Sequence, residues 1–139
     1  MGDLLSGRVA SGVGQGVFFT RLDWAREQFV AKLGIDPFPG TFNMVIDDPD
    51  ALQSWVRLKR TAGIVIENPG DGPHDCDGRC WKVTLAGRIE AAIVLPEVSE
   101  YPPAQLELIA AVGLRDALGL EDGDPVSLQV LGGGPDGNG

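Results

Sequence analysis

Apolar residues recur along this chain with two periods, and the switches between them mark its elements. Residues 5–10 alternate, which predicts a strand, because successive strand side chains point to opposite faces. A glycine-rich loop follows, and 17–20 reads as the returning strand. Asp23 caps a helix to Leu33, where Ala25, Phe29 and Leu33 share a face with Val30 beside them and Gly34 is the stop. Asp48-Pro49-Asp50 opens a second helix, with a capping carboxylate, a proline at the first helical position and an acid at the positive end of the dipole. Leu52, Trp55 and Val56 form its apolar stripe, Lys59 and Arg60 sit at its negative end, and Gly63 ends it. Short runs at 63–67, 81–85, 89–95, 106–110 and 126–130 predict strands, with a hairpin at Ala86-Gly87-Arg88 and a short helix at 114–118 before Gly119.

Many short strands with two clear helices and one short one predict a mainly β fold with helices (α+β). The pattern fits a compact β-barrel of six to eight short strands with two or three helices packed at its ends and connections. The 20 glycines and 10 prolines among 139 residues agree, because tight turns need them. That length suits one domain, 1–131, followed by a Gly-rich tail at 132–139 that reads as flexible. The net charge of −9 repels phosphate backbones, which argues against a nucleic-acid partner and means that a bound triphosphate needs a metal ion and amide donors. Without a long apolar run or a basic leader, the expectation is no membrane span, no signal peptide and a cytoplasmic location.

Three stretches carry candidate chemistry. In Pro37-Phe38-Pro39-Gly40-Thr41-Phe42-Asn43-Met44, two prolines and a glycine impose a stiff turn that leaves as a strand. Thr41 and Asn43 then share one face, and Phe42 and Met44 the other. A hydroxyl beside an amide carbonyl suits Mg²⁺, which keeps waters and takes its remaining charge from substrate phosphates. The same pair also serves a plain β-turn, and residue types alone favour that reading. Ser11-Gly12-Val13-Gly14-Gln15-Gly16 exposes successive N–H groups that can form an anion nest or, more simply, a bulged hairpin loop. His74, Cys76 and Cys80 collect the only histidine and both cysteines, three of the four ligands of a structural Zn²⁺ site. The plainer alternative makes Cys80 the inward-pointing start of a strand.

Together these pieces resemble a known family. Gly7-Arg8-Val9-Ala10-Ser11-Gly12-Val13-Gly14-Gln15-Gly16 is followed by a helix ending Leu33-Gly34, then Pro39-Gly40-Thr41-Phe42-Asn43. Leu106-Glu107-Leu108-Ile109-Ala110, Leu114-Arg115-Asp116-Ala117-Leu118-Gly119-Leu120 and Asp122-Gly123-Asp124-Pro125-Val126 complete the order. This order and spacing resemble the CTP-dependent riboflavin kinases of archaea, over residues 7–130. The resemblance implies a cradle-loop barrel that moves the γ-phosphate of CTP to the 5′-hydroxyl of riboflavin, giving FMN and CDP with Mg²⁺. It implies a nucleotide cradle at Gly12, Val13, Gly14, Gln15, Gly16 and Val17, and Mg²⁺ on Thr41 and Asn43. It further implies closure over the nucleotide by Gly113, Leu114, Arg115 and Asp116, with flavin contacts from Ser99 and Glu107. Glu107 is also the candidate catalytic group, able to orient or accept the proton of the riboflavin hydroxyl. Arg115 offers a cation near the phosphates, or a surface partner for Asp116 or Glu121. The chain departs from the family at Gln15 and Val17, where the loop usually carries acidic and then basic or bulky residues, and at Gly113, where lysine is frequent. Those departures keep a second reading in view: the same barrel holding a flavin or nucleotide without turnover.

Overall fold

The computed structural model of the chain describes residues 4–10, 23–38, 41–67, 78–96 and 103–131. The chain runs through β1 (Leu4–Val9), α1 (Asp23–Gln28, extended by a π-helical turn Phe29–Leu33) and β2 (Phe42–Ile46). Then come α2 (Pro49–Leu58), β3 (Ile64–Ile66), β4 (Gly78–Leu85), β5 (Ile89–Pro96), β6 (Gln105–Ile109), α3 (Leu114–Leu118) and β7 (Pro125–Val130).

The strands pair antiparallel in the order β3-β4-β5-β6-β2-β1-β7, and β7 also pairs with β4. That last pairing closes six strands into a barrel and leaves β3 as an extra strand. β4 serves both neighbours by dividing its length. Its first residues pair with β3, Gly78 opposite Ile66 and Cys80 opposite Ile64, whereas Val83, Thr84 and Leu85 pair with β7. The α+β barrel expected from the sequence is the fold.

Alternation sorts the strand residues into two cores. Leu5, Met44, Val83, Ile93, Leu108 and Leu128 face inward and form the barrel core with the buried side of α2. Trp55 on α2 meets Trp81 edge to face, centroids 5.5 Å apart at 82°, and Trp81 Nε1 donates to Thr61 Oγ1 at 2.9 Å. On the outside of β4, β5 and β6, the residues Cys80, Ala92, Val94 and Ile109 are roofed by Ala25, Phe29 and Leu33 of α1. Burying a side chain such as Phe29 is worth about 1.5–3 kcal/mol.

Local rules explain both main helices, with three corrections. Asp48 accepts from Ala51 N at 2.9 Å and Pro49 opens α2, as expected. The buried stripe is Ala51, Trp55 and Leu58, while Val56 is 40% exposed. An i, i+4, i+7 row fits the barrel core better than a stripe shifted toward Val56. The helix stops at Leu58 rather than at Gly63. Arg79 Nη1 donates to the carbonyls of Lys59 and Thr61, each at 2.8 Å, and so satisfies the chain just past the helix end. In α1 the buried face is Ala25, Phe29 and Leu33 with Gly34 in the left-handed conformation as its cap, but Val30 is 49% exposed.

α1 also guards the free edge of β3. Gln28 donates to the Glu67 carbonyl at 2.8 Å and accepts from Glu67 N at 2.7 Å, and Lys32 Nζ reaches the Val65 carbonyl at 2.6 Å. Side chains here stand in for a neighbouring strand and keep the edge from pairing elsewhere. The expected strand at 17–20, the glycine loop Gly12 to Val17, His74, Cys76, Ser99 and the tail at 132–139 lie outside the described residues.

The barrel leaves no room for a side chain at position 7 of β1. Gly7 lies opposite Ile46 of β2 and Val126 of β7, and a Cβ placed there would sit 2.2 Å from the Val45 carbonyl oxygen. That contact involves backbone, which cannot step aside as a side chain does. Gly7→Ala is therefore expected to destabilise the fold by about 3 kcal/mol, read as a lower urea midpoint. A midpoint equal to that of the parent protein would contradict the packing described at β1.

Candidate functional site

The site begins with the pairing of β2 and β6. Asn43 lies opposite Glu107, Phe42 opposite Leu108 and Met44 opposite Leu106. The even-numbered residues of both strands face the barrel core. The odd-numbered ones, Thr41, Asn43, Gln105 and Glu107, therefore share the other face. Thr41 and Asn43 thus stand side by side, as the alternation of the motif predicts.

Those four side chains form one hydrogen-bonded ladder. Gln105 Nε2 donates to Asn43 Oδ1 at 3.2 Å. Asn43 Nδ2 donates to the Thr41 carbonyl at 3.3 Å and lies 3.5 Å from Thr41 Oγ1. Thr41 Oγ1 donates to Glu107 Oε1 at 2.9 Å. Glu107 is fully buried, and Asn43 and Gln105 are 9% and 7% exposed. Among the described residues no buried side-chain nitrogen or oxygen lacks a partner. Burying a carboxylate and two amides on a sheet face otherwise open to apolar packing is costly unless each is paired, so the ladder holds a fixed arrangement of oxygens. Gln105 is the member the sequence reading missed. Its only signal was its place two residues before Glu107 on the same strand.

Beside the ladder lies a cavity of about 240 Å³. It is lined by Phe38, Thr41 and Phe42 from the start of β2, Leu108 and Ala110 from the end of β6, and Val112, Gly113, Leu114, Arg115 and Asp116 from the segment into α3. Its shape follows from the chain ends of β2 and β6. Phe38 N donates to the Ala110 carbonyl at 2.7 Å, tying the segment before β2 to the end of β6. The fold thus brings Thr41 and the segment 113–116 to one cavity although they are far apart in sequence.

Arg115 is placed differently from either pairing expected of it. It is 42% exposed and pairs with Asp122, with a further contact from Nη2 to the Ala10 carbonyl at 3.3 Å. Ala10 is the last described residue before the glycine loop, and its N donates to the Asn43 carbonyl at 3.0 Å. Ala10, just past β1, is thereby tied to both β2 and α3. Asp116 and Glu121 are not its partners, because the turn at Asp122-Gly123 folds back onto β1, where Gly123 N donates to the Val9 carbonyl at 2.8 Å.

The remaining sequence candidate is Cys80. It is fully buried beneath α1, and burial pushes its thiol well above the ordinary range, so it stays protonated. It lies near the start of β4 as the plainer alternative has it, but it faces outward from the barrel into the cluster under α1 rather than inward. Among the described residues no group of three His, Cys, Asp or Glu side chains gathers as a metal site. No helix there is long and apolar enough to cross a membrane.

Comparison with known proteins gives this geometry a family. The family model labelled CTP-dep_RFKase, a domain of unknown function (DUF120), matches residues 9–130. A riboflavin kinase of Archaeoglobus fulgidus is 42% identical over 130 residues, covering 91% of this chain and 54% of that protein. A riboflavin kinase of Pyrobaculum aerophilum is 41% identical over 128 residues, 91% of this chain and 60% of the relative. One from Methanocella arvoryzae is 35% identical over 127 residues, 91% and 56% respectively. The chain thus spans little more than half the length of these curated relatives. The match covers the barrel from the end of β1 to the end of β7, the ladder and the cavity included, and on that ground the chain belongs to the CTP-dependent riboflavin kinase domain family.

Proposed function

We propose that this domain transfers the γ-phosphoryl group of CTP to the 5′-hydroxyl oxygen of riboflavin. The bond between the γ-phosphorus and the β,γ-bridging oxygen breaks as the bond to the ribityl oxygen forms, giving FMN and CDP. The observation that carries this reading is the ladder of Thr41, Asn43, Gln105 and Glu107 beside a cavity walled by 113–116. The names of the relatives and of the family support the reaction and the donor.

Phosphoryl transfer needs positioning and charge neutralisation more than covalent help. Thr41 Oγ1 and Asn43 Oδ1 are neutral oxygen donors with one carboxylate, Glu107, hydrogen-bonded behind them. That donor set fits Mg²⁺, which binds through few protein oxygens and completes its shell with waters and phosphates. Thr41 and Asn43 would hold the ion, which when bound would neutralise the triphosphate that this acidic chain otherwise repels. Zn²⁺ has no part in this reading.

The chain's own groups do the rest. Glu107, held by Thr41, takes the proton from the riboflavin hydroxyl as the new bond forms. Gly12, Val13, Gly14, Gln15, Gly16 and Val17 cradle the nucleotide phosphates through backbone N–H groups, and Gly113, Leu114, Arg115 and Asp116 cover the nucleoside. Ser99 contacts the flavin. Gln105 is a positioning residue: its donated bond leaves the Asn43 carbonyl one lone pair directed elsewhere and fixes which way the amide faces.

The direct test mixes the protein with riboflavin, Mg²⁺ and CTP, ATP, GTP or UTP in parallel and resolves FMN by chromatography. FMN formed chiefly with CTP is the expected result. No FMN with any nucleotide, from protein shown to be folded, would contradict the reaction. Glu107→Gln is expected to lower kcat by about 10²- to 10⁴-fold while CDP still binds. A kcat within about threefold of the parent would remove Glu107 from the chemistry. Gln105→Leu is expected to raise the Mg²⁺ concentration for half-maximal activity about fivefold, the worth of one hydrogen bond, with the riboflavin KM unchanged. An unchanged Mg²⁺ requirement would reduce Gln105 to packing.

A further inference from the structure

Seven large apolar side chains are more than a third exposed among the described residues, and two of them, Phe38 and Val112, line the same cavity. Phe38 is the aromatic one, 50% exposed, with Val112 at 45% beside it. Two exposed apolar side chains that meet on a concave surface offer a ligand an apolar wall.

Phe38 is also held in place. Its N–H is bonded to the Ala110 carbonyl at 2.7 Å, and the preceding Pro37 is buried and fixes the backbone. One side of the ring rests on Gly113. A Cβ at that glycine would stand 3.1 Å from Phe38 Cε2, 3.3 Å from Cζ and 3.6 Å from Cδ2. The absence of a side chain at 113 lets the ring lie close over the backbone there, and a larger residue would displace it. The departure at Gly113 and the placement of Phe38 are thus one feature.

We propose that Phe38 is the platform on which the base of the phosphate-donor nucleotide stacks, with Val112 completing the apolar wall. This rests on the proposed function and deepens it. In that reading the cavity lies on the donor side, because Thr41, which faces the phosphates, and residues 113–116, which cover the nucleoside, line it. A phenyl face accepts any base by its π-surface, so this contact sets affinity and leaves base choice to groups at the base edge. Arg115 and Asp116 line the same cavity and supply polar groups next to the apolar wall, the mixture a nucleoside presents.

The test is calorimetric titration of CDP, UDP and riboflavin, with Mg²⁺, into the parent protein and Phe38→Ala, Phe38→Leu and Phe38→Trp. Phe38→Ala is expected to raise the Kd for CDP and UDP by one common factor, roughly 5- to 150-fold, and to leave the riboflavin Kd unchanged. Phe38→Trp should stay within about twofold of the parent, because it restores a π-face. Phe38→Leu keeps apolar bulk over Gly113 without a ring; it should lose at least about fivefold in CDP affinity and serves if the alanine variant fails to fold. Unchanged CDP affinity in the alanine and leucine variants would overturn the proposal. So would a loss confined to riboflavin, or a parent protein that binds neither nucleotide. A parent protein that binds CDP and makes no FMN would refute the reaction while leaving the stacking result to stand or fall on its own.

Discussion

The register between β2 and β6 is the constraint on which the site depends. With Asn43 opposite Glu107, one face of the strand pair carries Phe42, Met44, Leu106 and Leu108 into the barrel, and the other gathers Thr41, Asn43, Gln105 and Glu107. A slip by one residue would turn the apolar set outward and drive a carboxylate and two amides into the core. The hydrophobic effect that closes the barrel therefore fixes the polar ladder as well. Stability and site are set by one alternation, read on its two faces.

The second consequence concerns the ends of those strands. Because β2 and β6 are antiparallel neighbours, the segment entering β2 meets the segment leaving β6, and the Phe38–Ala110 bond ties them. The cavity between them inherits Thr41 from one side and 113–116 from the other. Arg115, bonded to Asp122 and to the Ala10 carbonyl, joins this region to the end of β1. An acidic protein that lacks a cluster of lysines at this cavity can still handle a triphosphate, provided backbone amides and a divalent ion supply the positive charge.

Much of this was legible in the sequence where the determinants are local. Asp48-Pro49-Asp50 specifies a helix start through capping, ring geometry and dipole, and the structure has it there. Period-two alternation at 41–44 put Thr41 and Asn43 on one face before any pairing was known. What the sequence hid depends on contacts between distant segments. The stripe of α2 turned toward Leu58 rather than Val56 because the barrel core, absent from the local pattern, decides the docking angle. The helix end moved from Gly63 to Leu58, where Arg79 from β4 reaches the following carbonyls. Gln105 became visible only once β6 lay against β2, and the Arg115 partner only once the Asp122 turn folded onto β1.

The central claim is that the oxygens ordered by the β2–β6 register bind the metal of a metal–nucleotide complex. Its most direct measurement is paramagnetic broadening of backbone amide NMR signals by Mn²⁺ in place of Mg²⁺, with a slowly hydrolysed CTP analogue present. The account predicts that signals of Thr41, Asn43 and Glu107 broaden first, and that the effect on them is lost in Asn43→Ala while the rest of the spectrum stays native. Broadening centred on another part of the barrel, or unaltered by Asn43→Ala, would contradict it.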